Sequence, residues 1–160
     1  MFAEQLYANE AMRTDMKRCA AAGMPIYAEC GGFMYLMEHL KDFSGQVYPM
    51  TGVIPGTVQM HKKLQMVGYV EAELQRDTIL GPRGTLLHGH EFHFSSEAAE
   101  GTAYPRAFMF TRMRNQMRYL AGYAKDNILG SYLHLHFAGC PEAAVSFVKQ
   151  CTVFRKSQEA

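Results

Sequence analysis

The chain has no tryptophan, no block of like charges and no long uninterrupted apolar run. The formal net charge of its 160 residues is only +1, which argues against a nucleic-acid or anionic-membrane partner held by electrostatics. No segment approaches the roughly 18 consecutive apolar residues that a membrane-spanning helix needs. The N-terminal segment carries Glu4 and Glu10 and lacks an apolar core, so it does not have the pattern of a secretory signal.

Cysteine is also scarce, and its spacing does not suggest disulfides. The four cysteines are Cys19, Cys30, Cys140 and Cys151, and no two have the Cys-x-x-Cys spacing. A chain of this length with 48% hydrophobic residues can build a core without disulfides, so we expect reduced thiols. These features predict a single domain over residues 1–160, located in the cytoplasm, with no nucleic-acid or membrane partner.

Hydrophobic spacing predicts helices near both ends of the chain and a β-rich middle. Helices are expected at residues 2–22, 31–40 and 142–154, and loops at 43–51 and 96–105. Strands are expected at residues 26–30, 53–60, 65–74, 86–95, 107–113, 117–123 and 128–137. Helices flank the first strand and follow the last, which predicts an α/β layer fold with a mostly parallel central sheet and an antiparallel insertion.

The most informative stretch is residues 25–36, PIYAECGGFMYL. An apolar run ends in Cys30, two glycines follow and a helical pattern begins, which predicts a strand, a tight turn and a helix with Cys30 at the turn. At a helix N-terminus, unpaired N–H groups and the helix dipole favour the thiolate, which is the nucleophilic form. The alternative is an inert buried cysteine, as most free cysteines are.

Histidines are concentrated in two runs, residues 88–93 (HGHEFH) and residues 130–137 (GSYLHLHF). Strand alternation places His134 and His136 on one face, about 7 Å apart. Either can be the base for Cys30, because a cysteine and a histidine are the minimum pair for acyl transfer. A metal site and purely structural hydrogen bonding are the alternatives. The ligands of such a metal site would be His88, His90, Glu91, His93, His134 and His136.

Three motifs in this order, PIYAECGGFMYL, GHEFHFS and GSYLHLHFAGCPE, closely resemble the C-terminal glutaminase domain of the cobyrinic acid a,c-diamide synthase family. That family belongs to the class I glutamine amidotransferases of corrinoid biosynthesis, and the resemblance covers residues 2 to about 150. It implies a three-layer, flavodoxin-like α/β fold with a mostly parallel sheet.

The resemblance also implies a reaction. Glutamine binds over Cys30, whose thiolate attacks the side-chain carboxamide and forms a γ-glutamyl thioester. Water then releases glutamate, and the ammonia passes to an ATP-dependent synthetase site that amidates the a and c carboxylates of cobyrinic acid. In this reading His134 is the base and the Gly31 N–H donates to the oxyanion. The implied glutamine-binding and oxyanion residues are Gly31, Gly32, His90, Glu91, His93 and His136.

Two departures from the wider superfamily bear on activity. A glutamate normally lies two residues after the catalytic histidine and orients it, but His136 occupies that place here, so the resemblance implies a Cys–His dyad and a slow or partner-dependent glutaminase. No Gly-x-x-x-x-Gly-Lys-Ser/Thr phosphate loop is present. ATP and Mg²⁺ are therefore expected in a synthetase domain or chain outside this sequence, and no cofactor or metal is expected within it.

The family domain starts with a strand and a glycine-rich turn before the helix at residues 2–22, so the first strand is expected to be missing here. An exposed sheet edge predicts loss of glutaminase activity or pairing with another chain, including a second copy. Three alternatives stay open: an inactive fragment or partner-binding module, the equivalent domain of a nickel-sirohydrochlorin or hydrogenobyrinic acid a,c-diamide synthase, and a metal-binding protein.

Overall fold

Two β-sheets and four α-helices make up the part of the chain that the computed structural model describes, residues 2–98 and 105–159. The helices are α1 Ala3–Ala8, α2 Glu10–Ala21, α3 Gly31–Leu36 and α4 Pro141–Gln158. The strands are β1 Ile26–Glu29, β2 Met37–Lys41, β3 Val47–Pro49, β4 Ile54–Met60, β5 Met66–Leu74, β6 Leu86–His93, β7 Ser95–Ala98, β8 Arg106–Arg112, β9 Arg118–Lys125, β10 Ile128–Ser131 and β11 Leu133–Leu135. A short 3-10 helix spans Phe137–Gly139.

The larger sheet has seven strands in the order β1-β10-β9-β8-β5-β6-β11, and it curls back on itself. Only Tyr132 separates β10 from β11 along the chain, yet β11 lies at the far edge, where it pairs with β6. Closure brings β11 next to the end of β1, so that the Leu135 N–H donates to a Glu29 carboxylate oxygen at 2.8 Å. The single strand predicted at residues 128–137 is therefore two strands with different partners.

The α/β class is confirmed, but the expectation of a mostly parallel sheet is wrong for the described strands. Only β1–β10 and β2–β4 are parallel among the pairings of residues 2–98 and 105–159. The middle strands follow one another through short connections, such as residues 113–117 between β8 and β9. Short connections permit only antiparallel neighbours, since parallel strands need long crossovers. The three-layer, flavodoxin-like arrangement stays a prediction.

The helix predicted at residues 2–22 is interrupted at Asn9. The Asn9 side chain accepts a hydrogen bond from the Met12 N–H at 3.1 Å and so caps the start of α2. Asparagine is among the best N-cap residues, because its side-chain oxygen satisfies an N–H group that has no partner within the helix. The cap separates α1 from α2.

The helix predicted at residues 31–40 ends at Leu36, and the chain continues directly into β2. Met37 and Leu40 are buried in β2, which pairs with β4 on one side and β3 on the other. A short apolar segment of this kind is compatible with either a helix or a strand, so the neighbouring strands decide its structure. The smaller sheet, ordered β3-β2-β4-β7, also takes up residues 47–49 and 95–98, which the sequence analysis assigned mainly to loops. Residues 99–104 of the predicted 96–105 loop lie outside the described residues.

Aromatic side chains fill the interior and anchor the segment that carries Cys30. Phe33, Phe108 and Phe110 are fully buried. Phe33, in the first turn of α3, packs edge-on against the ring of Tyr132 with centroids 5.3 Å apart. Burial of a phenylalanine contributes roughly 2 to 3 kcal/mol, so this contact holds the start of α3 against the break between β10 and β11.

None of the helices in residues 2–98 and 105–159 combines the length and the hydropathy needed to cross a lipid bilayer.

We predict that Gly122→Ala lowers the free energy of unfolding by about 3 kcal/mol, because it combines a strained backbone with a steric clash. Gly122 has a φ of +64°, and a Cβ there would lie 2.9 Å from the Gly130 carbonyl oxygen and 2.8 Å from the Ser131 Cβ. Gly23 is a matched control, since its φ is +84° but a Cβ would meet nothing within 4 Å. Gly23→Ala should cost only about 1 kcal/mol. Equal losses for both variants in urea unfolding would contradict the role of the clash.

Candidate active site at the end of β1

Cys30 lies at a strained turn between β1 and α3. Its φ of 47° and ψ of −105° are unusual for a residue with a side chain. The Cys30 N–H donates to the Ser131 carbonyl at 2.8 Å, and its own carbonyl accepts from Met34 N at 3.0 Å. A Cβ at Gly31 would meet nothing within 4 Å, so the space beside the thiol is open. The turn matches the predicted strand–Cys-Gly-Gly–helix geometry.

The surroundings of Cys30 favour the neutral thiol over the thiolate. Burial raises the pKa of Cys30 above its ordinary value of 9.0, a hydrogen bond from the Gly31 backbone opposes this, and the neighbouring Glu29 charge raises it further. The expectation that the start of α3 favours the thiolate is therefore not met as a net effect. A base is needed to remove the thiol proton.

His134 approaches the same region from β11. It lies opposite His90 in the β6–β11 ladder, and the two rings are stacked with centroids 4.8 Å apart. The Cys30 sulfur lies 3.9 Å from the carbonyl oxygen of Phe92 on β6. Phe92 and His90 are two residues apart, a separation of about 7 Å along a strand. The Cys30 thiol and the His134 imidazole therefore contact β6 at positions two residues apart.

Gly89 makes this approach of β11 to β6 possible. A Cβ at Gly89 would overlap the His134 carbonyl oxygen and lie 2.7 Å from Cδ1 of Leu133. No side chain fits between the strands at this position, so a glycine is required for His134 to reach its place.

A cavity of about 390 Å³ opens beside the two stacked imidazoles. His136 follows β11 directly, immediately before the 3-10 helix, and it lines this cavity together with His134, as predicted from their spacing. The titratable residues at this cavity are Tyr69, His88, His90, His134 and His136.

Glu91 and His93 point to the opposite face of β6, away from His134. Glu91 is buried and accepts a hydrogen bond from the Tyr119 hydroxyl. The His93 ring stacks on Tyr132 with centroids 3.8 Å apart, and its Nε2 lies 3.6 Å from a Glu91 oxygen. The HEFH signature is thus divided between two faces of β6. His90 lies beside the candidate base, and Glu91 and His93 belong to a buried network on the other face. Their assignment as glutamine contacts stays a prediction.

A histidine-rich metal site was one alternative that the sequence left open. Within the described ranges, no group of three or more His, Cys, Asp or Glu side chains is arranged to hold a metal ion. The stacked rings of His90 and His134 and the ladder bonds of their strands account for the proximity of the two histidines.

Glu29 is a residue that sequence reasoning did not single out. One of its carboxylate oxygens lies 3.9 Å from Nδ1 of His134, and the other accepts hydrogen bonds from the Tyr27 hydroxyl and the Leu135 N–H. Its position immediately before the cysteine in AECGG was the available signal. The histidine partner lies on a strand near the other end of the chain, which no local pattern reveals.

The model of the CobB/CobQ-like glutamine amidotransferase domain matches residues 1–141. The chain belongs to this family. The amidotransferase motifs that suggested the resemblance are the same segments that form the Cys30 turn, β6 and the β10–β11 edge.

Curated relatives of this CobB/CobQ-like domain carry the name cobyrinate a,c-diamide synthase. The protein from Dehalococcoides mccartyi strain 195 is 42% identical over 151 residues, covering 93% of this chain and 32% of its own length. The protein from Caldanaerobacter subterraneus is 38% identical over 154 residues, covering 96% and 34%. The protein from Synechococcus is 40% identical over 151 residues, covering 94% and 32%. The chain thus spans about a third of the length of these relatives.

We expect alkylation of Cys30 by iodoacetamide to be slow at neutral pH and still accelerating above pH 9.0, because the thiol pKa is raised from that value. The thiolate fraction at pH 7 should be below about 1%. The measurement is the alkylation rate against pH, followed by peptide mapping to separate Cys30 from the other thiols. A plateau below pH 8 would show a thiolate stabilised in the free protein and would contradict this.

Tyr119→Phe should lower the free energy of unfolding by about 1 to 3 kcal/mol, because it removes the hydroxyl that donates to the buried Glu91 carboxylate. Tyr69→Phe is the control, since Tyr69 is 74% exposed. Its loss should stay within about 0.5 kcal/mol. If urea unfolding gives the same small loss for both variants, Glu91 does not depend on the Tyr119 hydroxyl.

Proposed function

We propose that this chain is the glutamine-hydrolysing part of a cobyrinate a,c-diamide synthase, with Cys30 as nucleophile and His134 as general base. One observation carries the proposal: Cys30 has a strained, positive φ at the end of β1, beside β6, and His134 stacks on the ring of His90 from that strand. A reactive side chain at a sharp strand-to-helix turn is the arrangement that nucleophile elbows use. Membership of the CobB/CobQ-like amidotransferase family and the names of the relatives supply the substrate class.

Glutamine hydrolysis follows from the protonation states of these groups. His134 removes the Cys30 thiol proton as the sulfur attacks the carboxamide carbon of glutamine. The Gly31 N–H, at the start of α3 directly after Cys30, donates to the oxygen that becomes negative. The His134 imidazolium returns the proton to the leaving nitrogen, ammonia departs, and water hydrolyses the γ-glutamyl thioester to glutamate. A general base is needed in this reaction because the pKa of the Cys30 thiol is raised.

The ammonia is consumed by a synthetase part that lies outside residues 1–160. There ATP, with Mg²⁺, activates the a and c carboxylates of cobyrinate, and ammonia displaces the activating group to form the amides. The partners of this chain are therefore glutamine and the ATP-dependent synthetase domain or chain. Neither a cofactor nor a metal enters the glutamine half of the reaction.

The first test is labelling with 6-diazo-5-oxo-norleucine, a glutamine analogue that alkylates the attacking thiol. Intact mass should show one adduct, and peptide mapping should locate it on Cys30. Cys30→Ser should abolish the adduct, whereas Cys140→Ser should keep it. Folded protein that takes up no adduct, or takes it up on Cys140, would overturn the assignment of the nucleophile.

The second test separates the two half-reactions in the presence of the synthetase part. Cys30→Ser should abolish amidation of cobyrinate supported by glutamine and leave amidation supported by ammonium chloride. Loss of both activities would mean that the variant disturbs the synthetase part rather than glutamine hydrolysis alone.

A further inference from the structure

Glu29 links the strand that carries the thiol to the strand that carries the imidazole. It is the last residue of β1, and Cys30 follows it directly. Its Oε2 lies 3.9 Å from Nδ1 of His134 on β11. The Glu29 side chain is 29% exposed and that of His134 is 32% exposed, so both are sheltered but remain open to a ligand.

The orientation of this carboxylate is fixed by two hydrogen bonds to its other oxygen. The Tyr27 hydroxyl donates to Oε1 at 2.6 Å and the Leu135 N–H donates to it at 2.8 Å. The pKa of Tyr27 lies far above its usual value, because of burial first and then its bond to Glu29, so this hydroxyl is a permanent donor. The Tyr27 ring is itself held by edge contacts with Phe137 and Phe147. With Oε1 occupied in this way, Oε2 is left facing His134.

We propose that Glu29 is a positioning residue for His134: its Oε2 accepts a hydrogen bond from the Nδ1–H of the imidazole and leaves Nε2 free to take a proton. The catalytic consequence rests on the proposed function, in which that proton comes from Cys30. His136 stands where a carboxylate would follow the histidine along its own strand, and Glu29 supplies the carboxylate from β1 instead.

The distance of 3.9 Å is longer than a hydrogen bond. Catalytic hydrogen bonds are often long without substrate and shorten in the complex, and a small rotation of the imidazole closes this gap. The other titratable groups that line the cavity with His134 are Tyr69, His88, His90 and His136. The carboxylate of Glu29 is therefore the anion that balances the imidazolium formed when His134 takes the thiol proton.

The test is Glu29→Gln. The glutamine Oε1 can keep both donors, Tyr27 and Leu135, which turns its NH₂ group towards His134. An N–H donor at that place requires Nδ1 to accept, so the imidazole changes to the Nε2–H tautomer and can no longer take a proton at Nε2. We expect the ¹⁵N shifts of His134 at pH 8 to report Nδ1–H in the unmodified chain and Nε2–H in the variant.

Glutamine hydrolysis should fall by at least about 100-fold in kcat, with KM changed less than about threefold, because the wrong tautomer affects the proton transfer and not binding. Alkylation of Cys30 by iodoacetamide at pH 7 should instead become faster, because the negative charge beside the thiol is gone. A purely structural role of Glu29 would not move these two rates in opposite directions.

Glu71→Gln is the matched control, because Glu71 also lies beside a histidine, with its carboxylate 3.5 Å from Nε2 of the exposed His88. It should leave the His134 tautomer and kcat unchanged. An Nε2–H tautomer of His134 in the unmodified chain would overturn the proposal without any variant. So would an unchanged tautomer in Glu29→Gln. If the unmodified chain hydrolyses no glutamine while its tautomer responds as expected, the proposed function fails and the positioning role of Glu29 stands.

Discussion

The pairing of β11 with β6 is the contact on which the candidate site depends. One residue after β10 leaves its partners β1 and β9 at one side of the large sheet, the chain joins the opposite edge of the same sheet. This closure requires a glycine at position 89 and aromatic packing around Tyr132. It carries His134 to the end of β1, where Glu29 and Cys30 lie. The chemistry is thus assembled by a non-local strand pairing rather than by a single loop.

The Glu29 carboxylate lies close to both the Cys30 thiol and the His134 imidazole. The Glu29 carboxylate and the burial of Cys30 both favour the neutral thiol, as the raised pKa reflects. The same carboxylate lies 3.9 Å from Nδ1 of His134 on β11. In the proposed reaction, the thiol proton leaves as the sulfur attacks the carboxamide, and the Gly31 N–H then donates to the oxyanion.

Elements with strong local signals could be predicted from the sequence, and those decided by distant partners could not. The strands β5, β6 and β8 follow their apolar alternation, and the Cys-Gly-Gly turn follows from its glycines. Residues 37–40 were predicted as helix, but their pairing with β3 and β4 makes them part of a strand. The break at Tyr132 likewise depends on a distant partner, the strand β6 that pairs with β11. Glu29 was missed because the N–H group that fixes its carboxylate lies 106 residues later.

The backbone strain at Cys30 lowers the stability of the fold, and it falls on Cys30 rather than on the glycines that follow it. Glycine adopts a φ of 47° without steric penalty, and two glycines follow immediately, yet the residue that bears the conformation is the one with a thiol. A glycine would relieve this strain but would remove the thiol, so the strained conformation is the structural cost of placing a nucleophilic side chain at the end of β1 in the proposed function. The fully buried Phe33 just beyond the turn anchors the start of α3 against that strain.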